Sequence, residues 1–141
     1  MKPVFAVDVG GVLASLKHDG VPQVGSIGAL KYLLPRYEVW VVSQCGFKRA
    51  RDTAVWLEER GFDIPKARQI YVPFEEHKWP HLKRLGAVYF VDDRIKHVDP
   101  AVHYVPSLER AFLFGKPPDL KFATPKILAV PNWANLLERI P

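Results

Sequence analysis

The stretch Val4-Phe5-Ala6-Val7-Asp8-Val9-Gly10-Gly11 decides the fold of this chain. Its four apolar residues include β-formers and show no polar alternation, which is the pattern of a short strand buried on both faces. The strand stops at an aspartate, and the two glycines that follow indicate a tight turn. The opening residues therefore predict an α/β protein whose first strand ends in an acidic side chain.

The rest of the chain alternates between similar apolar runs and stretches with helical spacing. Further strands are predicted at Val39–Val42, Gln69–Val72 and Val88–Val91, with candidate edge strands at Ala111–Phe114 and Ile127–Val130. Helices are predicted from Ile27 to Leu34, from Phe47 to a cap at Gly61, at Trp79–Leu85 and at Asn132–Arg139. The predicted inner face of the second helix consists of Phe47, Ala50, Ala54 and Leu57. This alternation predicts a three-layer α/β sandwich with a mainly parallel, Rossmann-like sheet, in one domain over residues 1–141.

Composition restricts the class of protein further. A hydrophobic fraction of 48% with 25% charged residues is typical of globular chains. The one cysteine, Cys45, excludes an intrachain disulfide and a four-cysteine zinc site. No apolar run reaches membrane-spanning length, so we expect a cytoplasmic protein with no membrane partner. The net charge of +5 favours phosphate-bearing ligands but is weak evidence for nucleic-acid binding.

Polar side chains follow three of the predicted strands at the point where each strand ends. Asp8 follows the first strand, Ser43 the second, and the pair Asp92-Asp93 the fourth. In doubly wound sheets the ligand crevice lies at the carboxyl ends of the central strands, so these side chains converge if their strands are neighbours. Carboxylates suit Mg²⁺, and a carboxylate can also act as a nucleophile. With the Ser43 hydroxyl and a lysine as donors, such a site contains what phosphoryl transfer needs.

The order of these residues resembles the four motifs of the haloacid dehalogenase superfamily. The corresponding residues are Asp8-Val9-Gly10-Gly11-Val12, Ser43, Lys78 and Asp92-Asp93. The resemblance implies that Asp8 is a covalent nucleophile and that Ser43 and Lys78 orient and neutralise the phosphoryl group. Lys48 is a rival to Lys78 as the donor. The segments after the first and third strands are short, which implies a capless protein with an open site.

The same resemblance implies a ligand set for each part of the site. The substrate phosphoryl group is expected to contact Ser43, Gln44 and Lys78. The cofactor is expected to be Mg²⁺, held by Asp8, the main-chain carbonyl of Gly10, Asp92 and Asp93. The expected activity is magnesium-dependent phosphate-ester hydrolysis through an aspartyl-phosphate on Asp8. The expected substrate is a phosphorylated small molecule or a nucleic-acid end.

One position departs from the pattern of the superfamily's phosphatases. They carry a second aspartate two residues after the nucleophile, which protonates the leaving group and later activates water, and Gly10 stands in its place here. Glycine has no side chain that transfers a proton, and general acid–base catalysis commonly contributes ~10²–10⁴-fold. We therefore expect weakened or altered hydrolysis. His18 or Asp19 in the following loop is a candidate substitute acid.

Two other functions stay open. The first is a catalytically silent domain of the same fold that binds a phosphorylated ligand or a protein partner, and Gly10 is its main support. The second is a cysteine-dependent phosphatase, because Cys45 and Arg51 have the required spacing between a strand and a helix. Its phosphate-binding loop needs several small residues, and only Gly46 and Ala50 are small here.

Overall fold

The computed structural model describes residues 1–141 and contains six strands and five α-helices. The strands are β1 (Val4–Val7), β2 (Glu38–Gln44), β3 (Gln69–Val72), β4 (Ala87–Asp92), β5 (Arg110–Phe114) and β6 (Ile127–Val130). The helices are α1 (Ser26–Leu33), α2 (Phe47–Glu59), α3 (Trp79–Leu85), α4 (Ile95–Tyr104) and α5 (Trp133–Leu137). None of the helices combines the length and the hydropathy needed to cross a membrane.

All six strands form one sheet in the order β3-β2-β1-β4-β5-β6, and every neighbouring pair is parallel. In chain order, β2 and β3 are added on one side of β1. β4 then pairs with the other side of β1, and β5 and β6 are added beyond it. The ligand crevice of such a sheet lies at the carboxyl edge where this direction reverses, between β1 and β4. Asp8 directly follows β1 and Asp92 ends β4, so both residues lie at that edge.

Helices cover both faces of the sheet and divide the core into two clusters. The cluster under α1, α2 and α5 contains Phe5 and Val7 of β1. The cluster under α3 and α4 contains Ala6 of the same strand and Phe90 of β4. Successive residues of a strand point to opposite faces, which explains why neighbours in β1 belong to different clusters. The protein is therefore the three-layer α/β sandwich that the alternating pattern predicts.

The predicted strands are present, with two corrections to their positions. β2 runs two residues further than predicted, so Ser43 and Gln44 end the strand instead of starting the turn after it. β5 is not an edge strand, because β6 pairs along its outer side and Ala111–Phe114 is buried throughout. The outermost strands of the sheet are β3 and β6.

The sequence pattern does not predict α4, which contains Pro100. A proline inside a helix removes one backbone hydrogen bond and commonly disrupts the helix, so the pattern disfavours one here. Val98 and Ala101 are fully buried against the sheet and α4 also packs on α3, which stabilises the helix despite the lost bond. Tertiary packing thus outweighs local preference in this segment.

The predicted inner face of α2 is wrong at its first residue. Leu57 is buried as expected, whereas Phe47 is 83% exposed. Helical spacing assigns residues to one side of the helix, but it does not show where the sheet beneath that side ends. Phe47 opens the helix just after the chain has left β2, and its ring lies in solvent.

Candidate active site

Two acidic side chains meet at the carboxyl edge of β1 and β4. The backbone N–H of Asp8 donates to the carbonyl of Val91 at 3.0 Å, so Asp8 extends the contact between the strands by one residue. Alternation from Ala6 and Phe90, which belong to the cluster under α3 and α4, places Asp8 and Asp92 on that same face. Asp92 is fully buried and Asp8 is nearly so.

Lys78 bridges the two carboxylates. Its Nζ donates to Oδ1 of Asp8 at 3.0 Å and to Oδ2 of Asp92 at 2.6 Å, and its side chain is 1% exposed. A buried ammonium is costly unless carboxylates replace the hydration it has lost. Lys48, the other lysine considered from the sequence, is exposed. Lys78 is therefore the lysine that contacts the acidic residues.

Asp93 completes an acidic cluster with Asp8 and Asp92. One carboxylate oxygen from each of the three residues lies within 4.8 Å of the other two. Gly11 permits this approach, because its φ is +80° and a Cβ there would collide with Oδ2 of Asp93. Gly10 is different, since no heavy atom lies within 4 Å of a Cβ built on it. Only the second glycine of the turn is required by the geometry.

Burial raises the pKa of all three carboxyl groups. In Asp8, burial and the charge of Asp92 outweigh Lys78 and raise the pKa to about 6. Burial also raises the pKa of Asp92, although Lys78 and the backbone N–H of Arg94 donate hydrogen bonds to it. Burial and the charge of Asp8 raise the pKa of Asp93. Burial lowers the pKa of Lys78, but the two bonded carboxylates raise it by more, so the ammonium stays charged.

The cluster has the donors and the charge that a hard divalent cation needs. Three carboxylates face one ammonium, which leaves two negative charges uncompensated when all four groups are ionised. The donor atoms are oxygens, which Mg²⁺ prefers. Both oxygens of Asp92 already accept hydrogen bonds, whereas Asp93 is the most exposed of the three residues. The residues present fit a magnesium ion, with Asp93 and Asp8 as the more accessible ligands.

Ser43 lies on β2, beside the end of β1. Val7, the last residue of β1, pairs with Val41 of β2. Asp8 lies one residue beyond this pair, and Ser43 lies two residues beyond it on the neighbouring strand. Ser43 is buried. The structure therefore brings Ser43 to the same edge of the sheet as the acidic cluster.

Gln44 has a structural contact that the sequence pattern does not predict. Its Nε2 donates to the backbone carbonyl of Glu76 at 2.8 Å. Longer contacts join the same nitrogen to the carbonyls of Pro73 and Phe74, at 3.4 and 3.3 Å. Gln44 thereby holds the loop between β3 and α3, which ends at Lys78. Its partners are backbone atoms, and residue types give no signal for such a contact.

The geometry does not favour Cys45 as a nucleophile. Burial raises the pKa of its thiol, whereas a nucleophilic cysteine needs a lowered pKa. The arginine whose charge acts on this thiol is Arg49. Arg51, which has the required spacing, places its guanidinium 5.6 Å from the centroid of the exposed Phe47 ring.

His18 and Asp19 lie at the exposed tip of the loop after β1. The next residue, Gly20, accepts a hydrogen bond from Nε1 of Trp56 at 3.0 Å. Trp56 is nine residues along α2 from Phe47, about 14 Å from the helix end that faces the carboxyl edge of the sheet. The loop tip is thus held toward the opposite edge, and the structure does not bring either candidate acid to the cluster.

Comparisons with known proteins bear on the fold. No model of a protein family matches the chain, and no curated protein matches it significantly. Among solved structures, the chain is similar to a predicted haloacid dehalogenase-like hydrolase from Burkholderia xenovorans LB400, with 15% sequence identity and a TM-score of 0.56. The match covers 89% of this chain and 61% of the other, so this chain spans less than two thirds of that protein's length. This chain has the fold of a haloacid dehalogenase-like hydrolase.

Proposed function

We propose that the protein is a magnesium-dependent hydrolase of phosphate esters that works through an aspartyl-phosphate on Asp8. The observation that supports this most is the buried Lys78 ammonium between Asp8 and Asp92, with Asp93 in the same cluster. A structural ion pair needs one carboxylate per ammonium. The surplus of carboxylates at the ligand crevice of the sheet favours a site for a cation and a phosphoryl group.

Asp8 supplies the nucleophile in the proposed reaction. Its carboxylate attacks phosphorus, an O–P bond forms, and the bond from phosphorus to the ester oxygen breaks. The leaving oxygen keeps the bonding electrons and takes a proton from water, because Gly10 has none to give. Water then attacks the phosphorus, which releases inorganic phosphate and restores the carboxylate. Lys78 stays protonated throughout and, with the Ser43 hydroxyl, stabilises the charge on the phosphoryl oxygens.

A magnesium ion held by Asp8, the Gly10 carbonyl, Asp92 and Asp93 would neutralise phosphoryl charge and so assist the attack of one anion on another. Two features of the acidic cluster favour the binding of a cation. Gly11 permits the close approach of Asp93, and the three carboxylates carry two more negative charges than the Lys78 ammonium offsets when all four groups are ionised.

The proposal is tested by replacing Asp8→Asn and measuring hydrolysis of phosphate monoesters with Mg²⁺. The amide is similar in size and can still accept a hydrogen bond from Lys78, so we expect a folded protein without turnover. Asp63→Asn is a matched control, because Asp63 is exposed and lies before the amino end of β3, whereas Asp8 lies at the carboxyl ends of the strands. Normal turnover in the Asp8 variant would reject the mechanism.

The substrate is proposed to be a phosphorylated small molecule, with a nucleic-acid end as the alternative. Exposed basic residues lie on α2 and α3 and around the start of α4, and their positive charge is compatible with either partner. They are Lys48, Arg49, Arg51, Lys83, Arg84, Arg94 and Lys96. A silent domain would instead bind Mg²⁺ and inorganic phosphate but hydrolyse no ester, so the same assay with a binding measurement separates the two functions.

A further inference from the structure

An open pocket of about 310 Å³ lies at the carboxyl edge of β2 and β3, between the start of α2 and the loop after β3. Five of its eight lining residues are hydrophobic, and they include Phe47, Tyr71 and Phe74. This volume is at the small end of the range for ligand pockets. The pocket therefore has room for an aromatic ring.

Two exposed phenylalanine rings flank this pocket. Phe47 is 83% exposed and Phe74 is 70% exposed, and neither belongs to a core cluster. A Cβ built on Gly46 would lie 4.0 Å from Cε2 of Phe74, so this ring lies against the backbone that starts α2. Tyr71 adds a third ring, and its hydroxyl donates to Oε1 of Gln69 at 2.6 Å. The pocket thus offers a largely aromatic surface, with Glu75 as its one charged lining residue.

The pocket and the acidic cluster lie at the same carboxyl edge of the sheet. Cys45 lines the pocket and is two residues from Ser43 in the chain. Cys45 follows β2, which pairs with β1, so it lies at the carboxyl edge of the sheet, one strand away from Asp8. A ligand with its phosphate group at Asp8 would therefore extend along this edge to reach the pocket.

The wall that carries Phe74 is held in place before any ligand binds. Gln44 donates to the carbonyl of Glu76, and the backbone N–H of Cys45 donates to the carbonyl of Val72 at 3.0 Å. These bonds tie the loop after β3 to the end of β2. A preformed wall loses little conformational freedom on binding, which favours ligand affinity.

Gly10 adds an independent chemical argument about the leaving group. A phosphate ester of an alcohol leaves as an alkoxide, whose conjugate acid has a pKa near that of water, about 15.7. A phenol has a pKa of about 10, as in the tyrosine side chain, so a phenolate leaves without being protonated first. A site without a proton donor at position 10 therefore suits aryl esters far better than alkyl esters.

We propose that the substrates are aryl phosphates, with the phosphate at Asp8 and Lys78 and the aromatic ring between Phe47 and Phe74. This assignment rests on the proposed function of the acidic cluster. In the reaction the Asp8 carboxylate forms a bond to phosphorus, the P–O bond to the phenolic oxygen breaks, and phenolate departs with the electron pair. Water completes the hydrolysis, so the products are a phenol and inorganic phosphate.

Binding of two non-hydrolysable probes tests the pocket without turnover. We would measure the Kd of phenylphosphonate and of methylphosphonate with Mg²⁺, in the wild type and in Phe47→Ala and Phe74→Ala. One aromatic contact contributes ~2–10-fold in affinity, so the wild type should prefer the phenyl probe by about tenfold. Each alanine variant should reduce that preference and leave methylphosphonate affinity unchanged. Val55→Ala is the control, because Val55 is an exposed apolar residue of α2 outside the pocket.

Turnover supplies the second part of the test. The wild type should hydrolyse phenyl phosphate faster than methyl phosphate or adenosine 5′-monophosphate. Equal affinity for the two phosphonates, a preference unchanged in both alanine variants, or faster hydrolysis of the nucleotide would overturn the assignment. Failure of the proposed function has a different signature, which is an intact phenyl preference in binding with no hydrolysis of any ester.

Discussion

Replacing Gly10→Asp should give the protein the proton donor that it lacks. The structure admits the change, because no heavy atom lies within 4 Å of a Cβ at this position. The φ of Gly10 is not positive, unlike that of Gly11, so an L-residue adopts this backbone without strain. Gly10 is also exposed, so the new carboxylate is hydrated and adds little repulsion to the buried cluster.

The expected gain depends on the leaving group. A positioned general acid contributes ~10²–10⁴-fold to proton transfer, so kcat/KM for methyl phosphate should rise by about that factor. Phenyl phosphate should gain much less, because phenolate leaves without a proton. Gly10→Asn is the matched control, since its side chain has nearly the same shape and donates no acidic proton. The assay is steady-state release of inorganic phosphate with Mg²⁺, with thermal melting to check the fold.

The prediction of a missing proton donor would be contradicted by a folded Gly10→Asp protein whose kcat/KM for methyl phosphate equals that of the wild type. It would also fail if Gly10→Asn gave the same gain, since the effect would then come from shape and not from proton transfer. An equal gain for both esters would contradict the leaving-group argument.

Further predictions concern the acidic cluster and its surroundings. Gly11→Ala should destabilise the protein by more than 1 kcal/mol in urea unfolding, because its Cβ meets Asp93 and its φ is +80°; a stability equal to the wild type's would count against the close approach. Lys78→Met should lower the unfolding free energy at pH 7 by about 3–5 kcal/mol, because two buried carboxylates lose their counter-ion; Mg²⁺ should recover part of the loss. Adding Mg²⁺ should raise the Tm of the wild type and EDTA should reverse this, whereas Asp93→Asn should show a smaller shift; an equal shift would remove Asp93 from the ligand set. Burial and the charge of Lys78 lower the pKa of His97 to about 3, so the folded ring stays neutral while the unfolded ring gains a proton below about 6.5. The unfolding free energy should therefore decrease as the pH is lowered from about 6.5 toward about 3. His97 contributes up to about 1.4 kcal/mol per pH unit to this slope, and His97→Leu should remove that contribution.

Much of the fold follows from short-range pattern in the sequence. A buried parallel strand is a continuous apolar run, and each of the four central strands is such a run ended by a polar or glycine residue. The position of the candidate site at the carboxyl edge of the sheet could be predicted for the same reason, because Asp8 and Asp92 come directly after those runs. The position of β5 could not be read in this way, because an apolar run does not show how many strands pair beyond it.

Features that depend on tertiary contacts were outside the reach of sequence pattern. α4 contains Pro100, and only its packing on the sheet and on α3 explains why a helix forms there. Phe47 has the spacing of a core residue, and its exposure depends on where the sheet ends. Gln44 binds backbone carbonyls of a loop about thirty residues away in the chain. Residue types cannot predict such a contact, because every residue has a backbone carbonyl. The pocket at the carboxyl edge of β2 and β3 depends on the last two of these features.

The proposed function requires a cation bound by the acidic cluster and a phosphoryl group bound at Asp8. A crystal structure of the protein with Mg²⁺ and a trigonal fluoride complex measures both. We expect density for the cation against Asp8 and Asp93, and density for the fluoride group between Asp8 and Lys78. A well-ordered structure in which the cation binds elsewhere, or in which Asp8 contacts only Lys78, would contradict the account.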